Sequence, residues 1–157
     1  MRIGYGIDIH QLIPGDKITL SGVEIPSKYT IKAYSDGDIV YHACADAIYG
    51  AIAKGDIGEH FPDTDKKNKN IDSSIILLDA YNQMLKLNYA IENIDITLII
   101  ENPKINKYKE QMISNLSSIL KIDLNQTNIK ATTSEKLGYI GENRGIKCYS
   151  IILLKNT

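Results

Sequence analysis

The sequence predicts an α/β (α+β) two-layer sandwich, a small four-stranded mixed sheet with helices on one face, built as one domain over residues 1–157. Two observations carry the prediction. Period-two apolar alternation marks strands near both ends and in the middle of the chain, and between them lie segments with apolar residues every three to four positions. The order strand, helices, strand, helix, strand, strand suits a sheet covered by helices. A chain of 157 residues is long enough to bury a core of its own.

Residues 2–10 read as the first strand. Pro14-Gly15-Asp16 signals a turn, and Ile18–Leu20 with Val23–Ile25 a short hairpin around Ser21-Gly22. Pro26–Lys32 reads as a loop. Ser35 or Asp36 can cap a helix over Ile39–Ala53, whose Ala-rich composition marks it as largely buried. Gly55, Gly58 and Pro62 make 55–65 irregular, and Lys66–Asn70 continues it; a connection this long in a compact domain is more often functional than idle. Asp72 or Ser73 starts a helix with Ile76, Leu77, Ala80, Met84 and Leu87 at helical spacing. Ile94–Ile100 is a strand, stopped before Pro103-Lys104. Ile105–Leu120 is a third helix, with Tyr108, Met112, Leu116 and Ile119 on one stripe. Thr127–Ala131 is a strand, Thr132–Glu135 a polar turn, Gly138–Gly145 a Gly-bearing loop and Lys147–Leu154 the closing strand. The second sheet face is left for a partner, and further copies of the same chain are the expected one.

Composition narrows the function. A net charge of −1, with acids and bases mixed along the chain, argues against nucleic-acid and membrane-surface partners. No apolar run is long enough to span a membrane, and the N-terminus enters a strand directly, so a cytoplasmic protein is expected. Cys44 and Cys148 match no metal or redox motif and read as buried thiols.

The chemistry starts with Asp8-Ile9-His10. Residues two apart on a strand share a face, so a carboxylate and an imidazole stand side by side. Asp38, His42 and Asp46 are four apart on the buried helix and share a face of it. His42 is either a hydrogen-bonded core histidine or the third ligand of a metal site. Two histidines and one carboxylate form the ligand set of a catalytic zinc with an open position, with Asp46 or a backbone group orienting an imidazole. His60 reads as exposed. The acids of 56–65 are either a solvated loop or a site for a hard cation or sugar hydroxyls. Thr132-Thr133-Ser134-Glu135 is either a turn cap or a phosphate cradle whose Glu135 holds a magnesium ion.

Taken in order, Gly4-Tyr5-Gly6-Ile7-Asp8-Ile9-His10, Ser35-Asp36-Gly37-Asp38 with His42 and Asp46, Gly55-Asp56-Ile57-Gly58, Phe61-Pro62-Asp63-Thr64-Asp65, Pro103-Lys104 and Ala131–Gly138 resemble the 2-C-methyl-D-erythritol 2,4-cyclodiphosphate synthase family. The resemblance runs from residue 1 to about 145. It implies a Bacillus chorismate mutase-like, trimeric fold with active sites between subunits. It implies zinc at Asp8, His10 and His42, and magnesium or manganese at Glu135. Asp8, His10, Tyr34, Ser35, Thr132, Thr133 and Ser134 would lie against the substrate, with Thr133 near the transition state. Asp56, Ile57 and Gly58 would hold the ribose, and Phe61, Pro62, Asp63, Thr64 and Asp65 would close over the methylerythritol. Ile100, Pro103, Lys104, Ile105 and Asn106 would line the cytosine pocket, and Tyr139 would also contact the substrate.

The implied reaction is intramolecular. The 2-phosphate of 4-diphosphocytidyl-2-C-methyl-D-erythritol 2-phosphate attacks its own β-phosphorus, and CMP leaves. Two departures from the family stand out. Tyr34 occupies a position that the family fills with His, and a tyrosine hydroxyl donates a hydrogen bond without a positive charge. Glu142 and Arg144 exchange the signs common in the family, an exchange that can keep a salt bridge. Two other readings stay open: a zinc phosphoesterase that uses water, and a non-catalytic trimeric scaffold.

Overall fold

The computed structural model describes residues 1–157. Its strands are β1 (Arg2–Pro14), β2 (Lys17–Leu20), β3 (Val23–Pro26), β4 (Tyr29–Lys32), β5 (Tyr89–Ile99), β6 (Thr127–Thr132) and β7 (Gly145–Asn156). Its helices are α1 (Ile39–Ala51), α2 (Ile57–His60), α3 (Ser73–Lys86), α4 (Lys109–Leu120) and α5 (Gly138–Gly141). The main sheet runs β4-β1-β7-β5-β6, and β2 and β3 form a separate hairpin. All pairings in the main sheet are antiparallel except β5 with β6, which are parallel and joined through α4, as a parallel pair requires.

The sheet has five strands, not four. The expected first strand continues past His10 to Pro14, and its last residues pair with Tyr29–Lys32, which reads as loop in the sequence. Pro26 and the short polar step after it hide the strand, but Tyr29, Thr30 and Ile31 have β-forming side chains and meet a free edge. The expected loop 138–145 contains the single-turn helix α5. The first turn of the expected third helix, Ile105–Tyr108, is a loop residue and a 3-10 turn, and α4 begins at Lys109.

One sheet face is covered by helices. On β7, Ile146, Cys148, Ser150, Ile152 and Leu154 point inward, and on β5 Ile94, Ile96 and Leu98 do, all into the main apolar cluster apart from the buried Ser150. Both cysteines are buried free thiols, and burial pushes Cys44 up to about 12. The opposite face keeps Ile3, Tyr5, Ile7, Ile9 and Ile151 exposed, with Tyr5 stacked on Tyr149.

Two glycines set the distance between β1 and α1. A Cβ on Gly4 would lie 1.7 Å from the Ala47 carbonyl oxygen, and one on Gly6 would lie 2.0 Å from that of Ala43. Only hydrogen fits, so the helix backbone rests directly on the strand. The N-terminus of α1 is fixed by buried Asp38. Its carboxylate accepts backbone N–H bonds from Ser21, Gly22, Val40 and Tyr41, tying the β2–β3 hairpin to the helix. Burial pushes Asp38 up to about 6, and those N–H groups limit the rise.

Candidate metal centre and nucleotide cleft

Gly4, Gly6, Asp8 and His10 follow one another on the α1 side of β1. With the helix seated on the glycines, His42 meets the next two positions. The ligand atoms form a triangle: Asp8 Oδ2 to His42 Nδ1 is 2.8 Å, Asp8 Oδ2 to His10 Nε2 is 2.9 Å, and His10 Nε2 to His42 Nδ1 is 3.2 Å. Asp8 Oδ1 accepts the Ile9 N–H at 2.8 Å, which turns Oδ2 toward the histidines. Burial acts to raise the Asp8 carboxyl, but hydrogen bonds and charge from His10 and His42 prevail and hold it well below the usual carboxylate range.

These three residues are the cluster in the chain able to hold a metal ion. Zinc bonds of about 2.0–2.1 Å place tetrahedral ligand atoms roughly 3.3 Å apart, so the triangle fits an ion of that size after slight expansion. The donor set, two imidazoles and one carboxylate, suits a zinc-like cation with an open position.

His42 Nε2 points away from the triangle, 2.8 Å from Ser73 Oγ and 3.1 Å from Ser35 Oγ. Ser73 N–H and Oγ–H both donate to the Asp36 carboxylate, which also accepts the Asp38 N–H. Asp46 does not orient an imidazole: its Oδ1 accepts the Ile57 N–H at 2.8 Å and anchors α2. Asp38 is likewise committed to backbone N–H groups, so only His42 of the helical trio faces the site.

The triad opens on a cavity of about 140 Å³, walled by Ile57, Phe61, Ile71 and Ile76 and joined by Tyr34, Ser35, Asp63 and Asn68. Tyr34 Oη reaches the Asp65 carbonyl at 3.5 Å, and its own carbonyl accepts the Asn70 N–H at 2.8 Å. Asp56 and Asp65 cap short helical turns, with their carboxylates accepting the N–H of Glu59 and Lys67. Pro62, Thr64 and Gly58 do not line this cavity.

A second cavity of about 150 Å³ lies between Ile100–Asn106 and the end of β6, walled by Ile100, Pro103, Lys104, Ile105, Asn106, Thr132 and Thr133. A wider hollow of about 550 Å³, between Pro26–Tyr29 and Asn102-Pro103, holds none of the triad. Glu101, which the sequence does not single out, braces the Thr132–Glu135 turn: its Oε1 accepts from Ser134 N at 2.8 Å, Ser134 Oγ at 3.1 Å and Lys136 N at 3.2 Å. Ser134 is thereby committed to the fold, and its hydroxyl also reaches the Leu137 carbonyl. Glu135 and Lys136 both have left-handed backbones, φ 54° and 62°, and Glu135 Oε1 accepts from Thr133 Oγ1. Tyr139 lies over Gly145 and walls neither cavity. Glu142 and Arg144 form a salt bridge of 2.7 Å. His60 is half-buried rather than exposed as the sequence suggests, because it donates to the Lys54 carbonyl and stacks on Tyr49, and it lies outside the Asp8–His10–His42 cluster.

Within one chain the two halves stand apart. Ile9 pairs with Lys147, Lys147 with Ile99, and Ile99 with Thr132. Three strand spacings put Thr132 about 14 Å from the end of β1 that carries Asp8 and His10. No helix is long and apolar enough to cross a membrane.

The YgbB family profile matches residues 1–155. A 2-C-methyl-D-erythritol 2,4-cyclodiphosphate synthase of Brachyspira hyodysenteriae is 48% identical over 157 residues, covering 100% of this chain and 99% of that protein. One from Acinetobacter baumannii (strain ATCC 17978) is 46% identical over 156 residues, covering 99% and 98%. Among solved structures, the bifunctional IspDF of Campylobacter jejuni superposes with a TM-score of 0.95 at 40% identity, over 99% of this chain and 42% of that longer one. The Plasmodium falciparum IspF–CDP complex superposes at 0.89 with 42% identity, over 99% and 96%. With this two-layer fold and this histidine–carboxylate centre, the chain belongs to the YgbB family, that of the 2-C-methyl-D-erythritol 2,4-cyclodiphosphate synthases.

Proposed function

We infer that the protein is a phosphorus–oxygen lyase of the non-mevalonate isoprenoid pathway. It converts 4-diphosphocytidyl-2-C-methyl-D-erythritol 2-phosphate to 2-C-methyl-D-erythritol 2,4-cyclodiphosphate and CMP. The observation that carries this reading is the convergence of Asp8, His10 and His42 beside a small, largely apolar cavity that also presents Ser35.

The nucleophile is a phosphate that is already an anion, so no side chain has to deprotonate it. The problem is to bring two anions together in attack geometry. Zinc held by Asp8, His10 and His42, with magnesium or manganese held by Glu135, would supply the positive charge that a chain of net charge −1 lacks. Ser35 Oγ accepts the Gly37 N–H, which leaves its hydroxyl hydrogen for a phosphate oxygen. Ile57, Phe61, Ile71 and Ile76 keep water from the reacting phosphorus, which favours ring closure over hydrolysis. The second cavity takes the cytidine end, with Lys104 as the charged side chain in its wall and Thr133 at its edge. Asp56 and Gly58 hold the ribose, and the 61–65 loop covers the methylerythritol.

The active unit is a homotrimer. Two observations support this: the apolar outer face of β1 and β7, and the separation of the metal triad from the Thr132–Glu135 turn. Joining one copy's triad to another copy's turn is a head-to-tail contact, which closes into a ring when the rotation between copies is a whole fraction of a turn.

Incubation with the diphosphocytidyl substrate, zinc and magnesium, followed by ³¹P NMR, tests the function. Stoichiometric CMP and cyclic diphosphate are expected. CMP with an uncyclised bisphosphate would indicate hydrolysis, and zinc-loaded protein without turnover would indicate a scaffold.

A further inference from the structure

We propose that Asp36 and Ser73 are positioning residues that fix the tautomer of His42, holding its proton on Nε2 so that the Nδ1 lone pair faces the metal site. The inference rests on the metal-centre reading above and extends it to residues outside the ligand triad.

The assignment follows from counting donors and acceptors. An ionised carboxylate only accepts hydrogen bonds, and a serine hydroxyl has one hydrogen to give. The Asp36 carboxylate is tied at Oδ2 by the Ser73 N–H at 3.0 Å and at Oδ1 by the Asp38 N–H at 3.1 Å. Ser73 Oγ is also bonded to Asp36 Oδ1, so its hydrogen is committed there. Toward His42 Nε2, 2.8 Å away, Ser73 Oγ therefore has only a lone pair. Nε2 must donate. Ser35 Oγ, at 3.1 Å, accepts the weaker arm of the same N–H. When an ion occupies the triangle, the proton on Nε2 leaves Nδ1 bare to share that ion with Asp8 Oδ2, 2.8 Å away. A metal-bound histidine needs this arrangement, with one nitrogen free for the ion and the other held by an outer acceptor.

Ser73 is fully buried and belongs to the first turn of α3, whereas Asp36 lies in the loop before α1. The chain Asp36–Ser73–His42 therefore makes the metal site depend on a helix that contributes no ligand. The same wiring leaves the Ser35 hydroxyl hydrogen uncommitted and available to the substrate.

Three variants and two readouts test the proposal on the full-length protein. Zinc affinity is measured by competition with a chromophoric chelator, and the His42 tautomer by long-range ¹H–¹⁵N correlation of the imidazoles in the zinc-loaded state. Ser73→Ala removes the acceptor and should weaken zinc binding about 10–100-fold. Asp36→Asn presents an amide N–H₂ to Ser73, turns the serine into a donor toward Nε2, and should weaken zinc by a comparable factor. Ser73→Thr keeps the hydroxyl and should restore affinity to within about threefold of the parent. In the parent, the His42 Nε2 should carry the proton and Nδ1 the metal. Parent-like zinc affinity in Ser73→Ala, or a His42 proton on Nδ1, overturns the proposal. A parent protein that binds no zinc overturns the metal-centre reading itself, a result distinguishable from failure of the relay alone.

Discussion

Replacing Gly6 with alanine tests whether bare backbone contact builds the metal centre. The new Cβ would sit 2.0 Å from the Ala43 carbonyl oxygen and 2.8 Å from the Ala47 nitrogen. Carbon and oxygen do not approach closer than about 3 Å, so strand and helix must separate by roughly 1 Å, and such overpacking costs about 1–3 kcal/mol. His42 precedes Ala43 on the same helix and moves with it. Metal–ligand distances tolerate about 0.2 Å, so a displacement of roughly 1 Å exceeds the tolerance severalfold. Gly6→Ala should lower Tm by roughly 3–10 °C and weaken zinc at least tenfold. Gly50→Ala is the control, because Gly50 lies in the same helix with nothing within 4 Å of its would-be Cβ. It should stabilise the protein by about 0.5–1 kcal/mol and leave zinc binding unchanged. Calorimetry and chelator competition read both effects. Parent-like Tm and zinc affinity in Gly6→Ala would refute the close-contact account.

Three further outcomes are expected. Asp38→Asn replaces one accepting oxygen with a donor facing the Gly22 N–H and should cost about 2–4 kcal/mol in urea unfolding at pH 7. Because burial pushes Asp38 above its unfolded value to about 6, its contribution to stability is full below the unfolded pKa and declines as pH rises through about 6. The Asp38→Asn penalty should therefore be larger at about pH 4.5 than at neutral pH, and an equal penalty at both would contradict the buried-carboxylate account. His42→Ala should lose zinc and turnover together; full activity in that variant, measured by CMP release, would refute the ligand assignment. Ile7→Glu places a charge on the uncovered sheet face and should yield monomers in sedimentation velocity while unfolding normally; an intact trimer would remove that face from the interface.

The legible parts of this fold follow from local signals. Period-two alternation exposed β1 and β7, and helical spacing exposed α3. The ligand triad was legible because Asp8 and His10 are two apart on a strand and His42 stands on an apolar helix. β4 was not, since Tyr29–Lys32 becomes a strand only when the extended end of β1 lies beside it. Asp38 and Asp46 share a helix face with His42, yet they turn to backbone N–H groups supplied by the 21–22 turn and by α2, which spacing cannot reveal. Ser73 reads only as a helix start, and Glu101 is not singled out, for the same reason. Each acts across more than thirty residues of chain, Ser73 on His42 and Glu101 on the turn after β6.

Glu101 has a consequence for how affinity and chemistry divide. By gripping Ser134 and Lys136, it joins the Ile100–Asn106 loop and the turn after β6 into one rigid piece inside a single chain. The proposed cytidine berth is thus preassembled before any copy meets another. In the proposed trimer, a separated copy would keep the cytosine end of the leaving nucleotide but lose the ribose contacts of Asp56 and Gly58, which arrive from a neighbour together with the metal triad. Binding of CMP and turnover of substrate would then respond differently to dilution, the first weakening and the second lost as the ring comes apart.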